Sequence, residues 1–303
     1  MAKVLITGGT GLLGNRISQL LREDGHEVHI LSRSTQGLKD GIHYWNWNIK
    51  DQTIQDGALK VDHIIHLAGA GIADKRWTAA RKKELIDSRV KSTELLLKEI
   101  KRQKANIISI ACASAVGYYG DRGADILHED AAAGKGFLSE VCVAWEKETS
   151  RFSKELSIPT AQLRIGIVLS NKGGALPKLS LPIKFGAGAY MGNGKQFYPW
   201  IHIDDVSRLF IYAIQHALND VYNACAPHPC PNKELSRSIA KVLNRPFIPL
   251  PAPERVLQLG MGEMSAVVLN SQRTSSDKIE GNGFEFKFPD LEDALKDIFE
   301  RGI

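Results

Sequence analysis

Two rhythms of apolar residues alternate along the first 170 positions. Short runs rich in Val, Ile and Leu fall at Lys3–Thr7, Glu27–Leu31, Val61–Ala68, Ile107–Ser114 and Thr160–Leu169. Between them lie longer segments whose apolar residues return every three or four positions, the spacing of a helix face. One begins at Asn15 with Ile17, Leu20 and Leu21, and Gly25 suits its C-cap. A long one runs from Thr78 to Arg102 with Leu85, Ile86, Val90, Thr93, Leu96, Leu97 and Ile100 on one face, and a third spans Gly136 to Leu156 with Leu138, Val141, Trp145 and Phe152. Strands that alternate with amphipathic helices predict an α/β fold with a doubly wound parallel sheet.

The pattern changes after Gly173. Gly186, Gly188, Gly192 and Gly194 loosen the chain, and the segment Gln196–Asp205 then leads into a helix to about His216, with Asp204 as its expected N-cap. Pro227, Pro229 and Pro231 precede a helix through Leu243, and Pro246, Pro249, Pro251 and Pro253 precede a last helical stretch. The expected organisation is a core domain over residues 1–170, which recruits part of 196–226, and a smaller C-terminal lobe over 171–303 with a distinct tail from about 250.

The first strand runs straight into glycines at Gly8, Gly11 and Gly14, spaced G-x-x-G-x-x-G. Gly8 lets the chain leave the strand where a Cβ would resist. Gly11 lets the backbone approach a diphosphate, and Gly14 lets the following helix pack closely. The helix N-terminus offers unpaired N–H groups and partial positive charge to phosphates. A strand before the triplet and an amphipathic helix after it supply the context that a nucleotide loop requires. After the second strand, an acid would hold the ribose 2′-hydroxyl of NAD, whereas an arginine accommodates the 2′-phosphate of NADP. This chain has Ser32-Arg33-Ser34 there and no acid until Asp40. Arg33 therefore favours NADP(H) as the cofactor, the bland alternative being a solvated loop arginine.

Composition narrows the class. The chain has 303 residues, 43% of them hydrophobic and 24% charged, an ordinary globular balance. No signal-like segment and no apolar run of membrane-spanning length stands out. Cys112, Cys142, Cys225 and Cys230 form no C-x-x-C pair. Free thiols suit a reducing compartment, so the expected location is cytoplasmic. The net charge of +5 is mild, and much of it lies between Lys75 and Lys104, where it reads as the solvated side of the long helix. No aromatic interleaving or recognisable module suggests nucleic-acid binding. No metal-ligand spacing is present. His43–Asn48 (HYWNWN) reads as cover for a sheet edge, and His66 as a satisfied core histidine. Glu140 and Glu146 read as solvated.

Together TGGTGLLG, Ser32-Arg33, HLAG, SAVGYYG and WIHIDD resemble the extended short-chain dehydrogenase/reductase superfamily, the NAD(P)-dependent epimerase/dehydratase group. RWTAARKKELIDSRV at 76–90 and PAPERVLQLGMGEMSAVVLNSQR at 251–273 are similar to an atypical branch of unknown substrate, sometimes labelled cell-division-inhibitor-like. The resemblance spans essentially the whole chain and implies a Rossmann-type sheet with a small C-terminal substrate lobe. It implies that Gly8, Gly11 and Gly14, with backbone groups of Thr10, Leu12 and Leu13, hold the diphosphate. Ser32 and Arg33 would meet the 2′-phosphate, and Leu67, Ala68 and Gly69 would line the adenosine and ribose. Ser114 falls where the superfamily keeps the serine that hydrogen-bonds the reacting group. It is otherwise a strand-end serine. Long helices such as 78–102 pair relatives, which suggests a homodimer.

One part of the pattern is missing. The superfamily carries Y-x-x-x-K on the next helix, the tyrosine as acid or base and the lysine lowering its pKa. None of the seven tyrosines here has a lysine four residues on, and the helix reads GKGFLSEVCVAWEKE, with Phe137 or Leu138 in the tyrosine's place and Val141 or Cys142 in the lysine's. Tyr118, with Arg122 near it in sequence, and His202 are substitute catalytic candidates, against simple packing roles. Tyr119, Lys178, Pro199 and Trp200 are expected to line the substrate side. The resulting expectation is an NADP(H)-dependent oxidoreductase or epimerase-like enzyme acting on an unidentified small carbonyl or alcohol, nucleotide-sugar-like or not. The alternative is an NADPH-binding sensor or scaffold, linked to cell division by the family label.

Overall fold

The computed structural model describes residues 1–303 apart from 187 and 249, so Pro249 of the proline cluster lies outside the described residues. The first half builds the sheet in chain order. Strand β1 (Lys3–Thr7) is followed by helix α1 (Leu12–Glu23), β2 (Glu27–Ser32), the hairpin β3 (Gly37–Lys39) and β4 (Ile42–Asn48), and the short β5 (Thr53–Ile54). Then come β6 (His63–His66), α2 (Ala79–Gln103), β7 (Ser109–Ala115), α3 (Phe137–Leu156) and β8 (Thr160–Ile165). After β9 (Ile167–Leu169), α4 (Leu176–Lys184) and β10 (Trp200–His202), helix α5 (Ile203–Gln215) and β11 (Val221–Ala224) return to the sheet. The lobe ends with α6 (Asn232–Val242), α7 (Glu254–Met261), α8 (Ala266–Leu269), α9 (Asp277–Gly281) and α10 (Leu291–Arg301).

The sheet order is β11-β8-β7-β6-β1-β2-β4-β3, parallel throughout except for β3. Counting the parallel strands in chain order gives 3-2-1-4-5-6-7, so the order reverses between β1 and β6. The crevice at the carboxyl ends of those two strands is where such sheets bind ligands. Ile6 pairs with Ile30 on one side and Ile65 on the other, and all three are buried. Helices α1 and α5 cover one face with Ile17, Leu21, Val206 and Phe210. Helices α2 and α3 cover the other with Leu95, Leu96, Ile100 and Phe152. Each such side chain stabilises the fold by roughly 1.5–3 kcal/mol relative to exposure. A separate cluster around Leu176, Ile183, Trp200, Ile239 and Leu295 supports the lobe.

Four readings of the sequence need correction. Thr160–Leu169 is not one strand. A Cβ on Gly166 would stand 2.1 Å from the Pro199 carbonyl, and Ile167 N–H donates to that carbonyl at 2.6 Å. The chain therefore leaves the sheet at Gly166, and β9 pairs with β10 instead. His43–Asn48 does not cover an edge but is most of β4, bonded to β2. The N-cap of α5 is His202, whose Nδ1 accepts from Asp204 N–H at 3.0 Å. The charged residues of α2 are not uniformly solvated, since Arg81 and Glu99 are buried.

Candidate functional site: a crevice and an adjoining apolar cleft

The loop after β1 has the geometry its glycines suggest. Gly8 sits at φ +69°, and a Cβ there would press on the Leu67 backbone at 3.1 Å. A Cβ on Gly14 would lie 2.5 Å from Gly8 O and 2.6 Å from Gly9 Cα, so the contact that Gly14 permits is with the loop itself. Gly9 was missed in the sequence. Its Cβ would strike Ile30 at 2.7 Å. The N-cap of α1 is Gly11, with no side chain capping the helix. The backbone N–H groups of Leu12, Leu13 and Gly14 thus lie in an uncapped first turn beside an exposed Thr10 and Gly11. These features fit a dinucleotide diphosphate. Ser32 Oγ accepts from the N–H groups of Ser34 and Thr35, at 3.2 and 3.0 Å, and so builds the turn that leaves Arg33 exposed at the end of β2.

A directed chain of hydrogen bonds runs behind this crevice. Thr7 Oγ1 accepts from the N–H groups of Leu67 and Ala68, both at 3.1 Å, which fixes the turn after β6. Its own hydrogen goes to His66 Nδ1 at 2.7 Å. His66 Nε2 then donates to Thr93 Oγ1 at 3.0 Å, and Thr93 donates to the Arg89 carbonyl at 2.8 Å. Full burial pushes the His66 pKa down to about 3, so the ring stays neutral, the core histidine its pattern suggests.

Ser114 lies in a second buried network. Its Oγ donates to Glu146 Oε1 at 2.6 Å, and Arg164 clamps the same carboxylate through Nε at 2.8 Å and Nη2 at 2.9 Å. Arg164 Nη1 also donates to Tyr119 Oη at 2.9 Å, and Tyr119 donates to Asn223 Oδ1 at 2.7 Å. Glu146 is therefore not solvated, as its helix position suggested, but half of a buried ion pair. Tyr119 has no exposed surface for a substrate, and burial raises its pKa to about 12. The half-buried Tyr118 stacks on the Arg164 guanidinium, 3.4 Å from the ring centroid. Arg122, the cation expected to help Tyr118, instead donates to the carbonyls of Tyr119 and Ala132.

Among the other candidates on the lobe side, His202, Trp200 and Pro199 serve the scaffold. His202 is buried, stacked on Phe288 at 4.0 Å, and burial lowers its pKa. Trp200 is buried and donates to the His228 carbonyl at 2.9 Å. Pro199 is buried against Gly166. Lys178 is exposed on α4. Asp204 accepts from Arg16 Nε at 2.7 Å and Arg301 Nη2 at 2.8 Å, tying α1, α5 and α10 together. Burial opposes its ionisation, but the two guanidinium partners prevail and hold its carboxyl at about 2.

None of these residues lines the cleft that opens beside the crevice. Its volume is 220 Å³. Strand β7 turns into it with Ala115, Val116 and Gly117, helix α3 with Leu138, Cys142 and Trp145, and β9 with Gly166 and Ile167. Arg89 of α2 closes the side nearest the crevice, where a Cβ on Gly69 would meet its Cζ at 3.0 Å. The tail supplies the outer wall with Ala266, Val267, Asn270 and Gln272. Gln272 Nε2 fastens that wall to the Gly120 carbonyl at 2.7 Å, and Ser271 N–H donates to Asp121 Oδ1 at 3.0 Å. Side chains alternate along a strand. With Ser114 turned toward Glu146, the strand-end residue that reaches the cleft is Ala115. Burial pushes the Cys142 thiol up to about 12. Among the described residues, no cluster of three His, Cys, Asp or Glu could hold a metal ion, and no helix is long and apolar enough to cross a membrane.

Residues 4–225 match the profile of the NAD dependent epimerase/dehydratase family. The chain belongs to that family. Residues 252–298 match a second profile, a domain of unknown function, DUF1731. Epimerase family protein YfhF of Bacillus subtilis is 36% identical over 298 residues, covering 97% of each chain. The crystal structure of human epimerase family protein SDR39U1 (isoform 2) with NADPH superposes with a TM-score of 0.87 at 30% identity, over 98% of this chain and 99% of that one. A nucleoside-diphosphate sugar epimerase from Corynebacterium glutamicum gives 0.77 at 30% identity, over 97% of this chain and 57% of that one.

In this epimerase/dehydratase chain the cleft lies where the two matched regions meet, with β7, β9 and α3 from the first and Ala266–Gln272 from the second. Of the positions expected to replace the superfamily's tyrosine and lysine, Leu138, Val141 and Cys142 line the cleft and Phe137 does not, and Gly117 packs against Leu138 and Cys142. Arg89, Trp145 and Asn270 carry no sequence sign of a site, although Arg89 lies in the branch-like segment 76–90, Asn270 in 251–273, and Trp145 on the apolar face of its helix. Arg89 reads there as one more charge on a basic helix face, and the signal that could have singled it out is its place beside the apolar stripe through Leu85, Thr93 and Leu96.

Proposed function

We propose that this protein binds NADP(H) in the crevice above β1 and β6 and transfers hydride to or from a small, mostly apolar carbonyl or alcohol held in the adjoining cleft. The observation that carries this reading is that the linings of the two spaces adjoin. Gly8 packs on Leu67, the turn continues to Gly69, and Gly69 touches Arg89, which lines the cleft. Arg33 supports the 2′-phosphate, since it is exposed at the end of β2 and, among the described residues, has no carboxylate within 4.0 Å. The NADPH of the human relative supports the same choice.

When bound, a nicotinamide supplies or accepts the hydride. The chain's own part is to hold the apolar body of the substrate with Val116, Leu138 and Val267 and to anchor a substrate oxygen on the Arg89 charge, while the proton that accompanies the hydride exchanges with solvent at the open mouth of the cleft. Ser114 and Tyr118 take no part in this reading, because one is committed to Glu146 and neither lines the cleft. The second reading, an NADPH sensor, is favoured by Ala115, Leu138 and Cys142, which leave the cleft without an ordinary proton relay. The two separate on one experiment. NADPH deuterated at C4 is incubated with the protein and a panel of small aldehydes, ketones and enones, and products are read by mass spectrometry. Deuterium in a product above the protein-free control supports the enzyme. NADPH binding without transfer to any of them supports the sensor.

A further inference from the structure

We propose that the cleft binds its small, otherwise apolar ligand through a carboxylate, and that Arg89 is the residue that pairs with it. This rests on the reading above that the cleft is the substrate site, and adds the class of molecule it takes.

The guanidinium of Arg89 is unusually free of partners for one set among apolar side chains. It lines the cavity with its Cζ 4.7 Å from the centroid of Trp145. Its one hydrogen bond runs from Nη1 to the Leu85 carbonyl at 2.9 Å, while the buried Nε–H has no acceptor. Among the described residues, no carboxylate oxygen stands within 4.0 Å of it. Arg81, the other arginine on this end of α2, differs. It is bonded to Glu84 at 2.8 Å and to the Gly71 carbonyl at 2.6 Å. Burial, and to a much smaller degree the charge of Arg81, presses against ionisation of Arg89. An arginine keeps its proton regardless, so the cleft holds an uncompensated positive charge. A buried donor without a partner is costly, and an unpaired buried charge more so.

The donor that the cavity can use is Arg89 Nη2, which makes no hydrogen bond and, unlike the sealed Nε, keeps accessible surface. Trp145 holds the guanidinium plane from one side through its ring. A free N–H of a charged group calls for an acceptor, so the complementary ligand brings acceptors. A carboxylate offers two oxygens in a plane, the shape a guanidinium fork matches. A phosphate ester would ask for more donors than one arginine provides, and 220 Å³ bounded by Val116, Leu138, Ile167 and Val267 suits a short aliphatic or single-ring body. The hydrogen-bond chain from Thr7 through His66 and Thr93 ends on the Arg89 backbone. The arginine is thereby held in register with the crevice.

The test uses the purified full chain and two probes of one shape, benzoate and benzamide, titrated by calorimetry into protein saturated with NADP+. Benzoate is expected to bind about tenfold or more tightly than benzamide. Arg89→Met should remove that preference while changing NADP+ affinity by less than about threefold. Equal binding of the acid and the amide to the natural protein, or a benzoate affinity indifferent to Arg89→Met, would overturn the proposal and leave the cofactor reading intact. A parallel loss of NADP+ affinity in Arg89→Met would assign the guanidinium to a cofactor phosphate and overturn it too. Failure of the natural protein to bind NADP+ would remove the underlying reading. The acid-against-amide comparison needs no variant, so it decides the matter even if Arg89→Met does not fold.

Discussion

The hydroxyl of Ser114 donates to a carboxylate already held by two guanidinium hydrogen bonds, and this sets what its removal can do. Ser114→Ala should lower stability by about 1.5 kcal/mol, the low end for a bond to a charged group, because Glu146 keeps both bonds from Arg164. Glu146→Ala should cost about 3–5 kcal/mol, since it strands the buried charge of Arg164. Urea denaturation measures both, and NADPH affinity should not follow either change. A Ser114→Ala variant of full stability but lost turnover would return the serine to the chemistry. His66 sets a pH dependence of definite sign. Its folded pKa of about 3 lies below the ordinary 6.5. The unfolded chain therefore binds the extra proton, and stability falls as pH drops from 6.5 toward 3, by up to about 1.4 kcal/mol per unit. The buried His29 and His202 add to the same trend, and Asp204 joins it only below about 3.8. Denaturation midpoints across pH 7 to 4 check this, and His66→Gln should flatten the slope.

At the scale of elements, the β1–α1 turn is decided by backbone approach rather than by side chains. Gly14→Ala would drive a methyl into Gly8 O and Gly9, and should destabilise the protein by about 1–3 kcal/mol with loss of dinucleotide binding. Gly11→Ala meets only Gly8 O at 3.3 Å, and should leave stability nearly intact. Thermal melts and NADPH fluorescence titrations of the two variants separate packing from binding. The parallel strands and long helices were legible in the sequence because burial writes a period into every few residues. The break at Gly166 was not, because its cause is the Pro199 carbonyl, more than thirty residues away. Strand β11 escaped for a similar reason: four residues, VYNA, become a strand only by pairing with β8.

At the scale of the molecule, the cleft is assembled from pieces that no local pattern joins. Arg89, Ala115, Cys142, Ile167 and Gln272 come from five separate parts of the chain. The absence of a Y-x-x-x-K pair is legible because it is a matter of spacing alone, and three of the four replacement positions, Leu138, Val141 and Cys142, line the cleft. The expectation that Tyr119, Lys178, Pro199 and Trp200 line the substrate and that His202 serves the chemistry rests only on the segments they lie in. Burial, which decides between wall and scaffold, comes from contacts between segments. The glycine crevice was legible because its chemistry sits in one short loop.

NADP(H) binding in the crevice beside this cleft can be read from a pair of fluorescence titrations of the natural protein and Arg33→Asp with NADPH and NADH. The natural protein should prefer NADPH by about tenfold or more, and Arg33→Asp should abolish the preference mainly by weakening NADPH. Equal affinities in the natural protein, or a preference for NADH that Arg33→Asp leaves unchanged, would contradict it.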